Sequence, residues 1–490
     1  MSERTQRKVM EESDAPRLGS PVSINLTGRP LASRSPIPHP EEWPVVRLAN
    51  ITLKVGSGAT PRGGSENYLP ERVNFALIRS QNVFDRYFDC AGLAFISDEQ
   101  AQGLQNVSVQ PDDLLLNITG DGITFARCCA VPEDVLPACV NQHVSIVRVD
   151  PSLAYPGYVL SFLTHPSVKA YIESFNAGGS RRAITKGHIE SFRLPLPPLS
   201  EQHKIAAILG TLDDKIELNR RMNETLEAMA RALFQSWFVD FDPVRAKAAV
   251  RREHPRWTDA EVCRAALPTL APEIAALFPD SFENSALGDI PKGWRIGQFS
   301  DVAENSRRGI SPGDIPELTP YIALEHMPRK CIALSEWGIA DGVESGKFAF
   351  NANDILFGKL RPYFHKVGVA PIDGVCSTDI LVLSPRAPEW FGFVLSHASS
   401  DAFVEHANAG STGTKMPRTN WTDMARYPVI LPPETLAKAY TAKTTPAISR
   451  IIASIHQNHS LAALRDTLLP KLISGELRVK DAERIAEVEL

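Results

Sequence analysis

Ten positions set the course of this chain. Ile205, Leu209, Leu212, Ile216, Asn219, Asn223, Leu226, Ala230, Leu233 and Trp237 follow one another in alternating steps of four and three. That rhythm puts them on one side of a helix, and an apolar seam of more than four heptads calls for a second helix to cover it. At 1.5 Å per residue, roughly 36 residues make a rod of about 54 Å. A shift of about 235 residues carries the seam onto Tyr440, Thr444, Ala447, Ile451, Ser454, Asn458, Leu461, Arg465, Leu468 and Leu472. LEAMARALF (226–234) then lies over LAALRDTLL (461–469). The second seam is weaker, and Pro446 and Pro470 are each expected to end or kink their helix.

The segments before the two seams repeat as well, and a repeat of this length fixes the architecture before any local motif does. EEWPVVRLANI (41–51) answers to KGWRIGQFSDV (292–302), each a tryptophan followed by a short alternating strand pattern. DDLLLNITGDG (112–122) answers to NDILFGKLRPY (353–363): an acidic turn, an apolar strand, then a polar or basic loop. SFNAGGSRRAITKGHIESFRLPLPP (174–198) answers to EHANAGSTGTKMPRTNWTDMARYPVILPP (405–433), both passing through a Gly/Ser/Arg/Lys loop into a strand that ends in Pro-Pro. The expected fold is α+β: two repeated α/β globules joined by two long antiparallel coiled-coil helices, with a pseudo-twofold axis near the middle of the pair.

The expected boundaries are a disordered leader at 1–40, a first globule at 41–198 and a first helical spacer at 199–243. A linker at 244–291, a second globule at 292–433, a second spacer at 434–480 and a tail at 481–490 complete the chain. Ordered structure is expected from Trp43. Asn219, Asn223, Ser454 and Asn458 fall near the middle of the helix pair, where polar residues in a seam fix register or form a solvated face.

The 490 residues allow two to four domains at roughly 100–200 residues each. The cysteines (90, 128, 129, 139, 263, 331 and 376) form no CxxC pair, so neither a zinc ribbon nor a disulfide framework is indicated and a reducing cytoplasm is the expected home. No apolar run nears the ~20 residues of a membrane helix. The opening MSERTQRKVMEESDAP is too charged for a signal peptide. A net charge of −5 excludes a uniformly basic nucleic-acid coat and leaves room for local basic patches.

Enzymatic readings find little to rest on. An adenine methyltransferase needs an [ND]PP[FY] loop, and here the Pro-Pro pairs sit in LPLPPL and VILPPE. GVESGKF (342–348) is one residue short of a Walker A and lacks its Ser or Thr, and FPDSFENS (278–285) lacks a nuclease lysine. GSGATPRGG (56–64) reads as a turn or ligand-approach loop. His456 and His459 lie one helical turn apart with no further ligands, so they read as surface polar residues, since a metal needs three or four. Cys128 and Cys129 read as strand core. The chain is expected to have no catalytic residue and no metal.

What remains is a matched pair of basic loops. GGSRRAITKGH carries Arg181, Arg182 and Lys186; GSTGTKMPR carries Lys415 and Arg418; GKLRPYFHK adds Lys359, Arg361 and Lys366 around Tyr363 and Phe364. Arg and Lys on Gly/Ser/Thr loops suit phosphate and base-edge contacts. One such loop is more readily a solvated turn; two at equivalent places, one rod-length apart, suggest a bipartite reader of duplex DNA.

These residues resemble the specificity subunits of type I restriction–modification systems over roughly residues 41–480. The resemblance is carried by RLPLPPLSEQHKIAAILGTLDDKIELNRRMNETLEAMARALFQSWFVDFDPVRAK (193–247), LFPDSFENSALGDIPKGW (277–294) and LRDTLLPKLISGEL (464–477). It implies that the globules are target-recognition domains, each reading half of an interrupted DNA site, with the helices as a ruler. It also implies a non-catalytic subunit that docks two adenine methyltransferase subunits and, through them, a restriction/translocase subunit. S-adenosylmethionine, ATP and Mg would then be bound by those partners and none by this chain. DNA-binding candidates are Arg181, Arg182, Lys186, Lys359, Arg361, Lys415 and Arg418. Candidates for the helix or partner interface are Leu209, Leu212, Ile216, Asn223, Leu226, Leu233, Trp237, Ile451, Asn458, Leu461 and Leu468. Leu233, Phe234, Trp237 and Phe238 either form an exposed stripe for the methyltransferase or close the end of the coil. The second copy departs from the pattern at Glu434-Thr435-Leu436-Ala437, which replaces Leu199-Ser200-Glu201-Gln202. The competing reading is a non-DNA structural adaptor with two binding modules on a coiled-coil spacer.

Overall fold

The computed structural model describes residues 35–61, 64–120, 124–175, 182–413 and 416–489. Two long helices run through it, α1 (Leu199–Phe234) and α2 (Glu434–Ile473). Each starts directly after its Pro-Pro, with Pro198 at φ −52°, ψ 145° and Pro433 at φ −55°, ψ 143°. A proline held extended there stops the strand and leaves the next residue free to begin the helix.

The helices pack antiparallel. Arg465 Nη1 reaches Asp213 Oδ1 at 2.9 Å, Asn219 Nδ2 donates to Asn458 Oδ1 at 2.8 Å, and the Tyr440 hydroxyl donates to the Ala230 carbonyl at 3.2 Å. As the number rises on one helix, that of its partner falls on the other. The seam positions Leu209, Leu212, Asn223, Ile451, Leu461 and Leu468 are buried, and Ile216, Leu226, Leu233 and Asn458 are half-buried. Each leucine fully buried in this way contributes about 1.5–3 kcal/mol.

The helices differ from expectation in two places. Pro446 and Pro470 lie inside α2, which runs on past both, so the expected helix end is absent at each. Pro446 is on the solvent side, so the carbonyl it leaves without a donor at Ala442 is open to water. The Thr444 and Thr445 hydroxyls take up the Tyr440 and Thr441 carbonyls beside it. At the other seam the α-helix stops at Phe234 and passes into a π-helical turn, Gln235–Val239. The wider turn takes Trp237 off the heptad rhythm. Trp237 packs on Phe278 and Tyr440, with ring centroids 5.0 and 5.8 Å away. Phe234, Trp237 and Phe238 are buried in the second core, so they close the end of the helix pair and present no exposed stripe.

The two globules share one strand order. In the first, Thr52–Ser57, Val144–Val149, Leu114–Asn117 and Cys128–Ala130 lie side by side, all antiparallel. In the second, Ala303–Asn305, Ile380–Pro385, Ile355–Gly358 and Val367–Val369 take the same places. A second sheet in each, of three strands in the first globule and five in the second, contains one parallel pair, Phe75–Ile78 with Ala138–Val140 and Pro320–Ile322 with Gly374–Cys376. A closing ladder joins Val45–Arg47 to Arg193–Pro195, and Arg295–Gln298 to Pro428–Leu431. Left-handed residues recur in step: Arg86 and Lys330, Asp112 and Asn353, Ala126 and His365. A side chain with φ above zero is costly enough that matched occurrences mark matched turns. Gly58, in the loop after the first strand of the larger sheet, is there for space: a Cβ would stand 1.6 Å from the Val140 carbonyl oxygen.

One core joins the first globule to the start of α1 (Ile205, Leu209, Leu212) and the end of α2 (Leu461, Leu468, Leu472). The other joins the second globule to the end of α1 and the start of α2 (Leu436, Tyr440, Ile448). Both ends of the packed chain enter the first core. Of the expected leader, 1–34 lie outside the described residues, but Ile37 is buried there, six residues before Trp43. The expected tail falls in a helix, Val479–Glu489, whose Ala482 and Ala486 are buried in the same core. The linker region carries helices Asp242–Glu253, Asp259–Ala266 and Pro272–Ala275 and a hairpin, Phe282–Ser285 with Gly288–Pro291. Among the described residues no helix is long and apolar enough to cross a membrane.

Candidate nucleic-acid interface

The basic loops are assembled the same way in both globules. After Leu114–Asn117 the chain forms the short strand Thr119–Gly120, which pairs antiparallel with Arg182–Ala183. After Ile355–Gly358 it runs into Lys359–Arg361, and Leu360 bridges to Arg418. Arg182 and Arg418 thus lie on corresponding segments but one register position apart: Arg182 stands opposite Gly120, whereas Arg418 stands opposite Leu360, the counterpart of Thr119, which pairs with Ala183. Arg182 is held by Glu173 at 3.0 Å and Arg418 by Asp379 at 3.1 Å. Both guanidinium groups stay partly exposed, and ion pairs of this kind contribute at most about 1 kcal/mol.

The other candidates are spread around these ladders. Lys186, the first residue of a short capped helix, is largely exposed and sits 3.5 Å from Glu190. The Lys359 N–H donates to the Asp379 carbonyl and its own carbonyl accepts from the Thr419 N–H. Arg361 has φ 51°, donates its N–H to the Pro417 carbonyl, and places its guanidinium 5.9 Å from the Phe364 ring. Arg361 Nε is buried without a partner. Lys366 turns inward to the Leu324 carbonyl, and burial lowers its pKa. Arg181 and Lys415 lie outside the described residues.

Residues the sequence did not single out complete each ladder. The Ile118 N–H donates to the His143 carbonyl, as that of Lys359 does to Asp379. His143 Nδ1 lies 2.5 Å from Thr119 Oγ1, and its Nε2 lies 3.1 Å from Gln142 Nε2. Gln142 also receives the Thr60 hydroxyl. Asn141-Gln142-His143 and Ser377-Thr378-Asp379 are therefore corresponding triplets, rich in amide, imidazole, hydroxyl and carboxylate groups that can pair with base edges. The signal available in the sequence was their common place, just before the long final strand of each four-stranded sheet.

The remaining candidates have structural roles. The helix histidines face the second globule: His456 Nε2 lies 3.1 Å from the Pro371 carbonyl, and His459 Nε2 lies 2.8 Å from that of Ser335. Both remain exposed polar residues, as expected. Cys128 and Cys129 are strand core as expected, and burial pushes both thiols up. On the outer side of α1, Leu218 and Met229 are 59% and 63% exposed, three turns apart.

Two globules of one topology, fastened to one helix pair and each carrying an arginine on the corresponding loop ladder, define a repeat-built protein. Residues 40–228 match the family described as type I restriction modification DNA specificity domain. The chain is 23% identical over 449 residues to the type I restriction enzyme HindI specificity subunit of Haemophilus influenzae, covering 82% of this chain and 94% of that one. It is 24% identical over 453 residues to the MjaIX specificity subunit of Methanocaldococcus jannaschii, covering 90% and 95%. A solved type I restriction–modification S subunit from M. genitalium overlays with a TM-score of 0.48 at 12% identity, over 88% of this chain and 96% of that one. Over most of its length the chain is similar to specificity subunits of type I restriction–modification systems.

Proposed function

We propose that this chain is the non-catalytic sequence-specificity subunit of a type I restriction–modification complex. Residues 41–198 and 292–433 act as its two target-recognition domains, each reading one half of an interrupted duplex DNA site. The observation that carries this reading is the repeated ladder, which brings an arginine to the loop leaving a central strand in both copies of a fold, Arg182 and Arg418 standing one register position apart. Arginine there supplies phosphate or guanine contacts, and the neighbouring triplets supply donors and acceptors that differ between copies, as two different half-sites require. The paired helices hold the two faces a fixed distance apart. Their outer surface, with Leu218 and Met229, docks two adenine methyltransferase subunits, since exposed apolar groups on a helix mark a contact face. Through them a restriction/translocase subunit joins. S-adenosylmethionine, ATP and Mg are bound by those partners, and the complex works in the cytoplasm.

Long-read methylation mapping tests this in a methylation-free host that carries the chain and a cognate methyltransferase. The expected result is methylated adenine within two defined half-sites separated by a fixed undefined gap. Methylation at the same motif without the chain would overturn the reading and favour a structural adaptor.

A further inference from the structure

Besides its apolar contacts, α1 reaches each globule with an acidic side chain, and the two lie on the same face. Asp213 Oδ2 receives Arg86 Nε at 2.6 Å. Arg86 is almost fully buried and is fixed from its own side as well: Nη1 reaches Ser161 Oγ at 3.1 Å and Thr164 Oγ1 at 3.2 Å. Its backbone is left-handed, with the N–H on the Cys128 carbonyl at 2.7 Å. The other Asp213 oxygen holds Arg465 of α2. One turn pair along, the Arg220 guanidinium lies 3.5 Å from the ring centroid of Tyr87, in the same turn as Arg86.

Glu227 does the corresponding work for the second globule. It is buried, and its carboxylate accepts the Ile332 N–H at 3.0 Å, the Ala333 N–H at 3.1 Å and the Cys331 thiol at 3.3 Å. A helical carboxylate that takes two successive backbone N–H groups holds that backbone in position and orientation together, because both donors have fixed directions. The turns gripped are the matching ones, the turn of Arg86 in the first copy and that of Lys330 in the second. Fourteen residues separate Asp213 from Glu227. That is two heptads, so the grips share a face about 21 Å apart along a stiff rod.

We infer that Asp213 and Glu227 are positioning residues that set the separation and relative rotation of the two globules, and so the length of the gap the protein accepts between half-sites. The inference rests on the function proposed above. Neither residue meets DNA. Each acts through the globule it holds.

The test is methylation by the whole complex of a DNA library in which the two half-sites are kept and the gap varied one base pair at a time. Arg86→Met removes the first grip while leaving Asp213 paired with Arg465, and Glu227→Gln weakens the second. The double variant is expected to lose at least tenfold in its preference for the natural gap over gaps one base pair longer or shorter, with unchanged sensitivity to half-site substitutions. An unchanged gap preference would overturn the inference. A second reading uses the chain alone, with Cys90 replaced and spin labels at Leu53→Cys and Leu318→Cys, both exposed, one on each globule. The inter-label distance distribution is expected to broaden in the double variant; an unaltered distribution would also overturn the inference. If the unmodified complex shows no two-part motif, the proposed function fails, while the label distances still report on the two grips.

Discussion

Asn219 of α1 donates from Nδ2 to Asn458 Oδ1 at 2.8 Å and to Gln457 Oε1 at 2.9 Å, in the middle of an otherwise apolar seam. Asn458 returns a bond to the Ile216 carbonyl at 3.4 Å. One turn further, the antiparallel register sets Asn223 opposite Ser454; both are buried, and Asn223 Oδ1 and Ser454 Oγ have no partner. A slip of either helix would leave these amides among leucines, where each unpaired group costs about 1–3 kcal/mol. The polar middle therefore selects one alignment.

This leads to a double-mutant cycle. Asn219→Ala and Asn458→Ala should each destabilise, with a coupling of about 1 kcal/mol between them in chemical denaturation, the net worth of one such hydrogen bond. Replacing both with Leu should keep or raise stability while allowing more than one register. Zero coupling would show that the pair does not interact in solution.

Asp213 serves two arginines that are both largely buried. Asp213→Ala strands them, and removing one member of a buried charge group costs about 3–5 kcal/mol. Thermal unfolding should show a loss several times larger than that from Arg478→Ala, which removes the exposed ion pair of Arg478 with Asp481.

His397 lies among Phe234, Phe299, Phe393 and Tyr427, with Nε2 unpartnered, and burial pushes its pKa down to about 3. The unfolded chain binds this proton near pH 6.5 and the folded chain does not. Stability from this group is therefore complete above about pH 6.5 and is lost as the pH falls towards 3, by up to tenfold in the folding equilibrium per pH unit. His397→Phe should flatten that part of the pH–stability curve. An equally steep curve would place its cause elsewhere.

Under the proposed function, the Glu173 and Asp379 carboxylates paired with the two ladder arginines would compete with DNA phosphate. Arg182→Ala and Arg418→Ala should weaken binding and reduce the salt slope by about one each. Glu173→Gln and Asp379→Asn should do the reverse, raising affinity by up to about fivefold, the worth of one exposed ion pair. Titration at several salt concentrations reads both effects, and a slope indifferent to all four changes would remove these arginines from the interface.

The helix pair and the repeat were legible because both are periodic: heptad spacing shows in single letters, and a second copy doubles each weak signal. Trp237 kept the rhythm in sequence yet left it in space, because a π-helical turn adds a residue that no spacing reveals. Pro446 followed a sound local rule that solvent and two threonine hydroxyls overrode. Arg182 and Arg418 were visible as basic residues on glycine-rich loops. Asn141–His143 and Ser377–Asp379 were not, since their relation to those arginines arises only when strands far apart in sequence are laid together.

The mixed ownership of the first core bears on how the chain is made. Leu461, Leu468, Leu472, Ala482 and Ala486 complete a core whose other residues begin at Ile37. On the ribosome, the globule synthesised first must wait for more than 200 further residues before its apolar surface is covered. Domains usually fold in the order of their synthesis. Here the second globule, with its own helix segments close by in sequence, can finish first, and the closing of the first is the last event. A release defect or a truncation in α2 would thus expose the half of the molecule farthest from the lesion in sequence.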